Sequence, residues 1–488
     1  MKKGLLAIII IALNSITLLA QNEIDALRYS QDAPLGSARF TAMSGAFGSL
    51  GGEFSALSLN PAGIGMYQFS EFTFTPSFHL NSTTSYYGSK ETDYSTGLKI
   101  ANIGLVFSSP KGDSEWKRIN FAIGWNQLAN YNNNIRISGR NNTSSLADNI
   151  LDVAQGHNID DLNAFHSSPA FWTDLIDLED NLIDTATDGS IWYAHDNGNY
   201  ISHISGNSSK LQSKNSYTSG GKNEFVFAIG GSFNEQLYLG ATIGIPTIDY
   251  YERSTYNESE FGDTINGLHG FDFQEELSVY GSGLNLKLGA ILRISEGLKL
   301  GAALHTPTAY SIEETYSTTL TTHFAEENFT EDSPYNSFEY DLITPWKAIL
   351  SASSVINKNI LLSADYEMID YTFSYLHSNN YAFKNENESI EELYTKTSNL
   401  RLGAEVNIKP FVLRAGYSKY GSAFANKDFS RESFSYGLGI NNGSYYFDAA
   451  YVLSQGNSEH LLYNEDYISP IALANTNHTL VLTLGFRY

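Results

Sequence analysis

From Phe69 onward, apolar and polar residues alternate. In the last segment Leu480, Leu482, Leu484, Phe486 and Tyr488 share one face, while Thr479, Val481, Thr483, Gly485 and Arg487 share the other. A period of two with one continuous apolar face predicts a strand that meets lipid or core on that side. The same pattern recurs in Phe72, Phe74, Phe78 and Leu80, in Ile119, Phe121, Ile123 and Trp125, and in Leu400, Leu402, Ala404 and Val406. Fourteen such segments are predicted, at about 69–81, 96–109, 117–137, 223–233, 236–254, 271–295, 297–320, 338–356, 359–376, 394–408, 411–420, 431–441, 444–455 and 477–488. Tight connections such as Asn234-Glu235, Asn357-Lys358 and Asn442-Gly443 alternate with long ones at 82–95, 139–222, 377–393 and 456–476. That asymmetry predicts an all-β fold: a transmembrane antiparallel β-barrel over 67–488, with both termini on the periplasmic side of the outer membrane of a Gram-negative bacterium.

Composition agrees with the pattern. The chain holds 32 Tyr and 28 Phe, the residues that form girdles on transmembrane barrels, and no cysteine. Disulfides, thiolate metal sites and cysteine nucleophiles are thereby excluded. Lys2 and Lys3, an apolar run from Leu5 to Leu13, and Ala20 before Gln21 predict a signal peptide over 1–20. The apolar run is too short to span ~30 Å of hydrocarbon. With 53 acidic residues against 29 basic ones, nucleic acid is not an expected partner. The acid gathers in proposed loops, such as Glu386 to Glu392 and Glu326 to Asp332, as a solvated surface or as a cation-bridged contact to lipopolysaccharide and outer-membrane lipid. The C-terminal Phe486 and Tyr488 are the expected contact for the barrel-assembly machinery.

Three features remain inside this frame. Asp365, Glu367, Arg401, Glu405 and Arg414 fall on inward positions of neighbouring strands, a ladder that braces the lumen, holds a plug or lines a solute path. In the long loop 139–222, Ser168-Pro169 followed by Phe171, Trp172, Leu175, Ile176, Leu178, Leu182 and Ile183 predicts an amphipathic helix, either packed over the barrel mouth or presenting an apolar ligand surface. Ahead of the first strand, Gly45-x-x-Gly48-x-x-Gly51-Gly52 lacks the strand and the Gly-Lys-Ser/Thr of a phosphate loop, so its glycines are expected to serve close packing within 21–66. No nucleophile elbow or paired metal-ligand histidines occur, so neither an enzyme nor a cofactor is expected.

The segment Arg39 to Gly65, with Met43-Ser-Gly-Ala and Asn60-Pro61-Ala62-Gly63 just before the first strand, resembles the N-terminal hatch of the long-chain fatty acid transporter family (FadL and TodX type). The resemblance implies a fourteen-stranded barrel with a hatch in its lumen. It implies passive uptake of hydrophobic compounds such as long-chain fatty acids, by capture at loops, binding in a lumen pocket, and hatch-controlled release sideways near a kinked third strand. On this reading Asn60, Pro61, Ala62 and Gly63 form the hatch motif, while Phe40, Met43, Phe47, Phe54 and Leu57 face the pocket, with Phe171, Trp172, Leu175 and Ile176 at the loop surface. Glu53 stands where the family more usually has aspartate, and Asn126, Gln127 and Asn130 interrupt strand three. The alternative is a non-transporting barrel of the same family that partners in protein secretion or surface attachment.

Overall fold

A computed structural model describes residues 23–488 except 113, 180–182, 186–190, 194–197, 205–207 and 264–266. The signal segment 1–20 and Leu182 therefore lie outside the described residues. Fourteen antiparallel strands close into a barrel. In chain order they are β1 (Glu71–Tyr87), β2 (Ser89–Pro110), β3 (Trp116–Asn130, resuming at Asn133–Asn141), β4 (Lys210–Phe233), β5 (Leu237–Ser259), β6 (Leu268–Ser295), β7 (Leu298–His305 and Ala309–Phe324), β8 (Asn336–Ile343 and Lys347–Ile356), β9 (Ile360–Asp370 and Tyr375–His377), β10 (Lys396–Ile408), β11 (Phe411–Tyr420), β12 (Arg431–Asn441), β13 (Tyr445–His460) and β14 (Ile471–Arg487). Each strand pairs with the next, and β14 returns to β1 from Glu71↔Arg487 to Ser85↔Leu473.

The period of two decides which side meets lipid. In β14 Leu480, Leu482, Leu484 and Phe486 are 37% to 50% exposed, while Val481 and Thr483 between them are fully buried in the lumen. The turns at one end are as short as the sequence implies. Asn234-Glu235 and Asn357-Lys358 hold both residues at positive φ, between 49° and 61°, the conformation whose twist matches a two-residue hairpin.

At the long-loop end the strands run further than alternation suggests. β6 has 28 residues, whereas about 9–11 cross a bilayer, so the excess projects beyond it. There the outward face turns polar, while inward residues such as Phe271 and Phe273 stay buried beneath the long loop. The expected loop 82–95 is in fact the tip of the β1–β2 hairpin, turning at Gly88 with Tyr87 opposite Ser89. The loop expected over 139–222 shrinks to 142–209, because β3 runs on to Asn141 and β4 begins at Lys210. It carries helices α3 (Leu146–Ala154) and α4 (Ser167–Trp172), and the loop after β9 carries α5 (Lys384–Leu393).

The helix expected from 169 to 183 ends at Trp172. Asp174 takes a positive φ of 55°, and Ile176–Leu178 leave as a short strand paired with Tyr200–Ser202. Phe171, Leu175 and Ile176 are buried in an apolar cluster with Tyr256, Phe271 and Leu320, whereas Trp172 is 55% exposed.

Candidate functional site

The chain ahead of β1 fills the lumen. It forms α1 (Glu23–Ser30), α2 (Ala38–Ala42) and two single-turn helices, Phe54–Ser58 and Pro61–Met66. Ser37 caps α2 by accepting from the Phe40 N–H, and Asn60 caps the Pro61 turn by accepting from the Ala62 N–H at 3.0 Å. The Asn60 amide also donates to the Gly48 carbonyl at 2.6 Å and reaches Ala290 of β6 and Ala302 of β7, at 3.3 and 3.4 Å. One side chain thus ties two parts of the hatch to each other and to the wall. Gly51 has a φ of 65° and stands so close to Gly63 that an added Cβ would lie 3.0 Å from its Cα, which is why glycine is needed there.

Phe40, Met43 and Phe47 pack with Leu50, Ala56, Leu59, Ala303 and Ile349, while Phe54 and Leu57 pack with Ile64, Tyr67, Val106, Ala122 and Val226. These five residues, expected to face a pocket, are at most 1% exposed, and none borders either of the two lumen spaces described below. Wall glycines admit them: a Cβ on Gly104 would meet the Phe54 ring at 2.4 Å, and one on Gly403 would meet Met43 at 2.9 Å. Burial of each such side chain stabilises the plug by about 1.5–3 kcal/mol.

The charge ladder meets the hatch. Arg401 binds Glu367 at 2.6 Å, and Arg414 bridges Glu405 and Asp448, both at 2.6 Å. Glu405 accepts also from Arg39 of α2 at 2.8 Å, and Asp365 accepts from the Gly48 N–H at 2.9 Å. Asp448, on β13 and two strands beyond Arg414, completes the chain of pairs.

Glu53 of the hatch is buried with its Oε1 unpartnered. Burial pushes its carboxyl up to about 7, with Glu71 adding to the rise and Arg39 opposing it. A carboxyl raised in the folded state favours folding while protonated, so this contribution is complete below pH 4.5 and is lost as pH rises through about 7. Protection of the amides of residues 36–66, taken relative to the intrinsic exchange rate at each pH, should therefore fall between pH 5 and pH 8. Glu53→Gln should flatten that dependence.

Residues 23–35 run from the hatch toward the long-loop end. Asp32 is held between Lys222 of β4, at 2.7 Å, and Lys347 of β8, and Lys222 also donates to the Tyr29 and Gln31 carbonyls. The Ala33 and Leu35 N–H groups donate to the Leu128 and Gln127 carbonyls of β3, at 2.8 and 3.1 Å. Tyr394, just beyond α5, donates to the Glu23 carbonyl. The first described residue thus stands at the long-loop end, contrary to the expectation of a periplasmic N-terminal segment, while Tyr488 bonds Ser70 at the short-turn end. The clamp joins residues far apart in the chain, and no local motif marks it.

Between this segment and the wall β10–β14 lies a chamber of about 400 Å³. A second space of about 140 Å³ continues it toward Thr41, Ser44 and Gly45 of the hatch. The lining is polar and aromatic, with Asn81, Asn130, Asn399, Asn475, Asn477, Gln455, Tyr371, Tyr420 and Arg431 among it, where an apolar pocket was expected. The chamber abuts a break in the wall at Ala129–Asn133. The β2–β3 ladder runs only from Asn102↔Asn126 to Pro110↔Arg118. Past a register shift between Gln127 and Ala129, β3 stays paired with β4 but bends across the inner side of the β1–β2 hairpin. Asn81 donates to the Asn132 carbonyl, Ser85 to that of Arg136 at 2.6 Å, and Asn134 to that of Tyr94 at 2.9 Å. Residues 89–101 of β2 consequently have a strand partner on one edge only.

A closed fourteen-stranded barrel, plugged by its own N-terminal segment and broken beside its third strand, has the fold of an outer-membrane transporter. Solved structures with the same fold are of FadL and TodX type. The chain is similar to a Pseudomonas aeruginosa FadL homologue, at 12% identity and a TM-score of 0.57 over 94% of this chain and 99% of that one. It is similar also to the P. putida toluene transporter TodX, at 11% identity and a TM-score of 0.54 over 94% and 99%. No protein-family model and no curated protein matches the sequence.

Proposed function

We propose that the chain is an outer-membrane channel for passive uptake of hydrophobic compounds such as long-chain fatty acids. The observation that carries this reading is the unpaired edge of β2 beside the inward bend of β3, where a route from the lumen chamber through the wall toward lipid would open. Capture falls to the loop surface around Trp172, and transit to the chamber. Control falls to the hatch, through the hydrogen bonds that Ala33 and Leu35 make to the bend. No energy source is required, because an acyl chain gains about 0.8 kcal/mol for each methylene it moves out of water. The four residues Asn60, Pro61, Ala62 and Gly63 hold the plug seated while solute leaves sideways. Exposed Phe486 and Tyr488 remain the proposed handle for the barrel-assembly machinery.

The chain has no cysteine, so an engineered pair reports cleanly. A Cβ on Gly97 of β2 would lie 2.9 Å from the Asn132 amide. The pair Gly97→Cys with Asn132→Cys should staple the β2 edge to the bend. Oxidation is expected to reduce uptake of radiolabelled oleate at least about tenfold, and dithiothreitol to restore it, with heat-modifiable gel mobility unchanged. Equal uptake by the stapled and reduced forms would rule out this exit.

A further inference from the structure

On the lipid-facing side of the wall, between β7 and β12, lies an open groove of about 620 Å³. Its floor is Ala352, Ala364, Ala404 and Ala415, one on each of the four successive strands β8 to β11. The register sets them side by side, with Ala352 opposite Ala364 and Ala404 opposite Ala415. Outward positions elsewhere on the barrel carry large side chains, such as Phe225, Phe227 and Ile229 of β4, so the floor is sunk below the surrounding surface. Leu298 of β7 stands at one side of the groove, and Phe434 and Tyr436 of β12 at the other. Lipid chains have to fill such a groove, because a void would forfeit the dispersion contacts of its lining.

What lies at the foot of the groove sets it apart from ordinary lipid contact. The strands that form its floor turn at Asn357-Lys358 and at Lys409-Pro410. Both lysines are exposed, and neither forms an ion pair among the described residues. The β4–β5 and β6–β7 turns at the same end carry Glu235 and Glu296 instead. Two turns separated by two strand spacings lie ~10 Å apart, close enough for both ammonium groups to approach one phosphate. From Leu362 to Lys358 and from Ala404 to Lys409 the strands rise about 13–17 Å, at ~3.3 Å per residue. With strands tilted about 40°, that is roughly 10–13 Å of depth, within one leaflet of a ~30 Å core.

We infer that the groove seats an acyl chain of an anionic phospholipid, with the lipid phosphate held between Lys358 and Lys409. Lysine binds phosphate as a point charge on a flexible stem, which suits a mobile headgroup at the membrane surface. A headgroup with its own ammonium would meet these lysines with like charge, so the anionic lipid is preferred over the zwitterionic one. The site lies outside the lumen and does not rest on the uptake reading.

Native mass spectrometry tests the seat on the purified full chain, incubated in detergent with equal amounts of dioleoyl phosphatidylglycerol and dioleoyl phosphatidylethanolamine. Wild type is expected to retain phosphatidylglycerol at least about fivefold over phosphatidylethanolamine. Lys358→Gln with Lys409→Gln should bring the two lipids level. Ala364→Phe with Ala404→Phe fills the groove and should lower retention of both at least about threefold, and Ala404→Leu alone should give a smaller fall in the same direction. Heat-modifiable mobility checks that each variant is folded. Equal retention of both lipids by wild type would overturn the inference. A preference that survives the double lysine substitution would also overturn it, by placing the charge on another basic surface such as Lys111 and Lys117 near the β2–β3 turn. Retention unchanged by both groove variants would put the acyl chain elsewhere and reject the seat. A dimer mass with no lipid retained would assign the groove to a second copy of the chain, and so reject it as well.

Discussion

Asp32→Ala should release residues 23–35 from the barrel wall while the hatch below stays seated. Asp32 is the shared counter-charge of Lys222 and Lys347, which are 2% and 8% exposed. Removing one member of a buried ion pair typically costs about 3–5 kcal/mol, because the remaining charge stays in the protein without compensation. Lys222 would keep its bonds to the Tyr29 and Gln31 carbonyls, at 2.8 and 2.7 Å. Lys347 would keep only the longer contact to the Ser30 carbonyl, at 3.4 Å. The loss should therefore fall toward the lower figure, which corresponds to roughly a hundredfold faster amide exchange for this segment. Hydrogen exchange followed by mass spectrometry reads that change directly, and residues 44–66 provide the internal reference. Adding Lys347→Met to the alanine variant should recover part of the protection. Unchanged exchange in the single variant would show that the apolar contacts of Ala26, Leu27 and Tyr29 hold the segment by themselves.

The second large effect is expected at Asn60. Alanine there removes the cap on Ala62 and leaves the Gly48 carbonyl inside the plug without its 2.6 Å donor. The cap is worth about 1 kcal/mol, and a buried polar group left unsatisfied costs about 1–3 kcal/mol more. Residues 44–66 should become cleavable by added protease in detergent. The barrel itself should keep its heat-modifiable gel mobility, because its ladders do not pass through Asn60. Asn60→Asp retains the acceptor for Ala62 but replaces the donor with a buried charge, so it should loosen the plug at least as much as alanine. A variant that lost the folded band would assign Asn60 to barrel assembly and not to seating the plug.

The wall was legible because lipid imposes a period of two on every strand that crosses it. In the β1–β2 hairpin beyond the bilayer both faces carry polar residues, so Thr83, Ser85 and Thr92 read as loop although they belong to one hairpin. The spacing of Phe171, Leu175 and Leu178 fits a helix, yet packing over the strand tips turned the chain at Asp174. The hatch motif was legible as a resemblance, whereas the fate of its aromatic residues was not. Phe54 and Met43 are accommodated by Gly104 and Gly403 across the lumen, and nothing in the local sequence of either partner announces the fit.

The position of Glu23 beside Tyr394 bears on how the molecule is built. A segment that lies along the lumen cannot be passed through a finished wall, and loop 142–209 packs over strand tips at the far mouth. Residues 23–66 have to be in place before the β1–β14 seam closes, or be drawn in through the short-turn end. Their contacts reach β4, β8, β10 and β14 around the cylinder, so a plug in place before closure would act as an interior template for it.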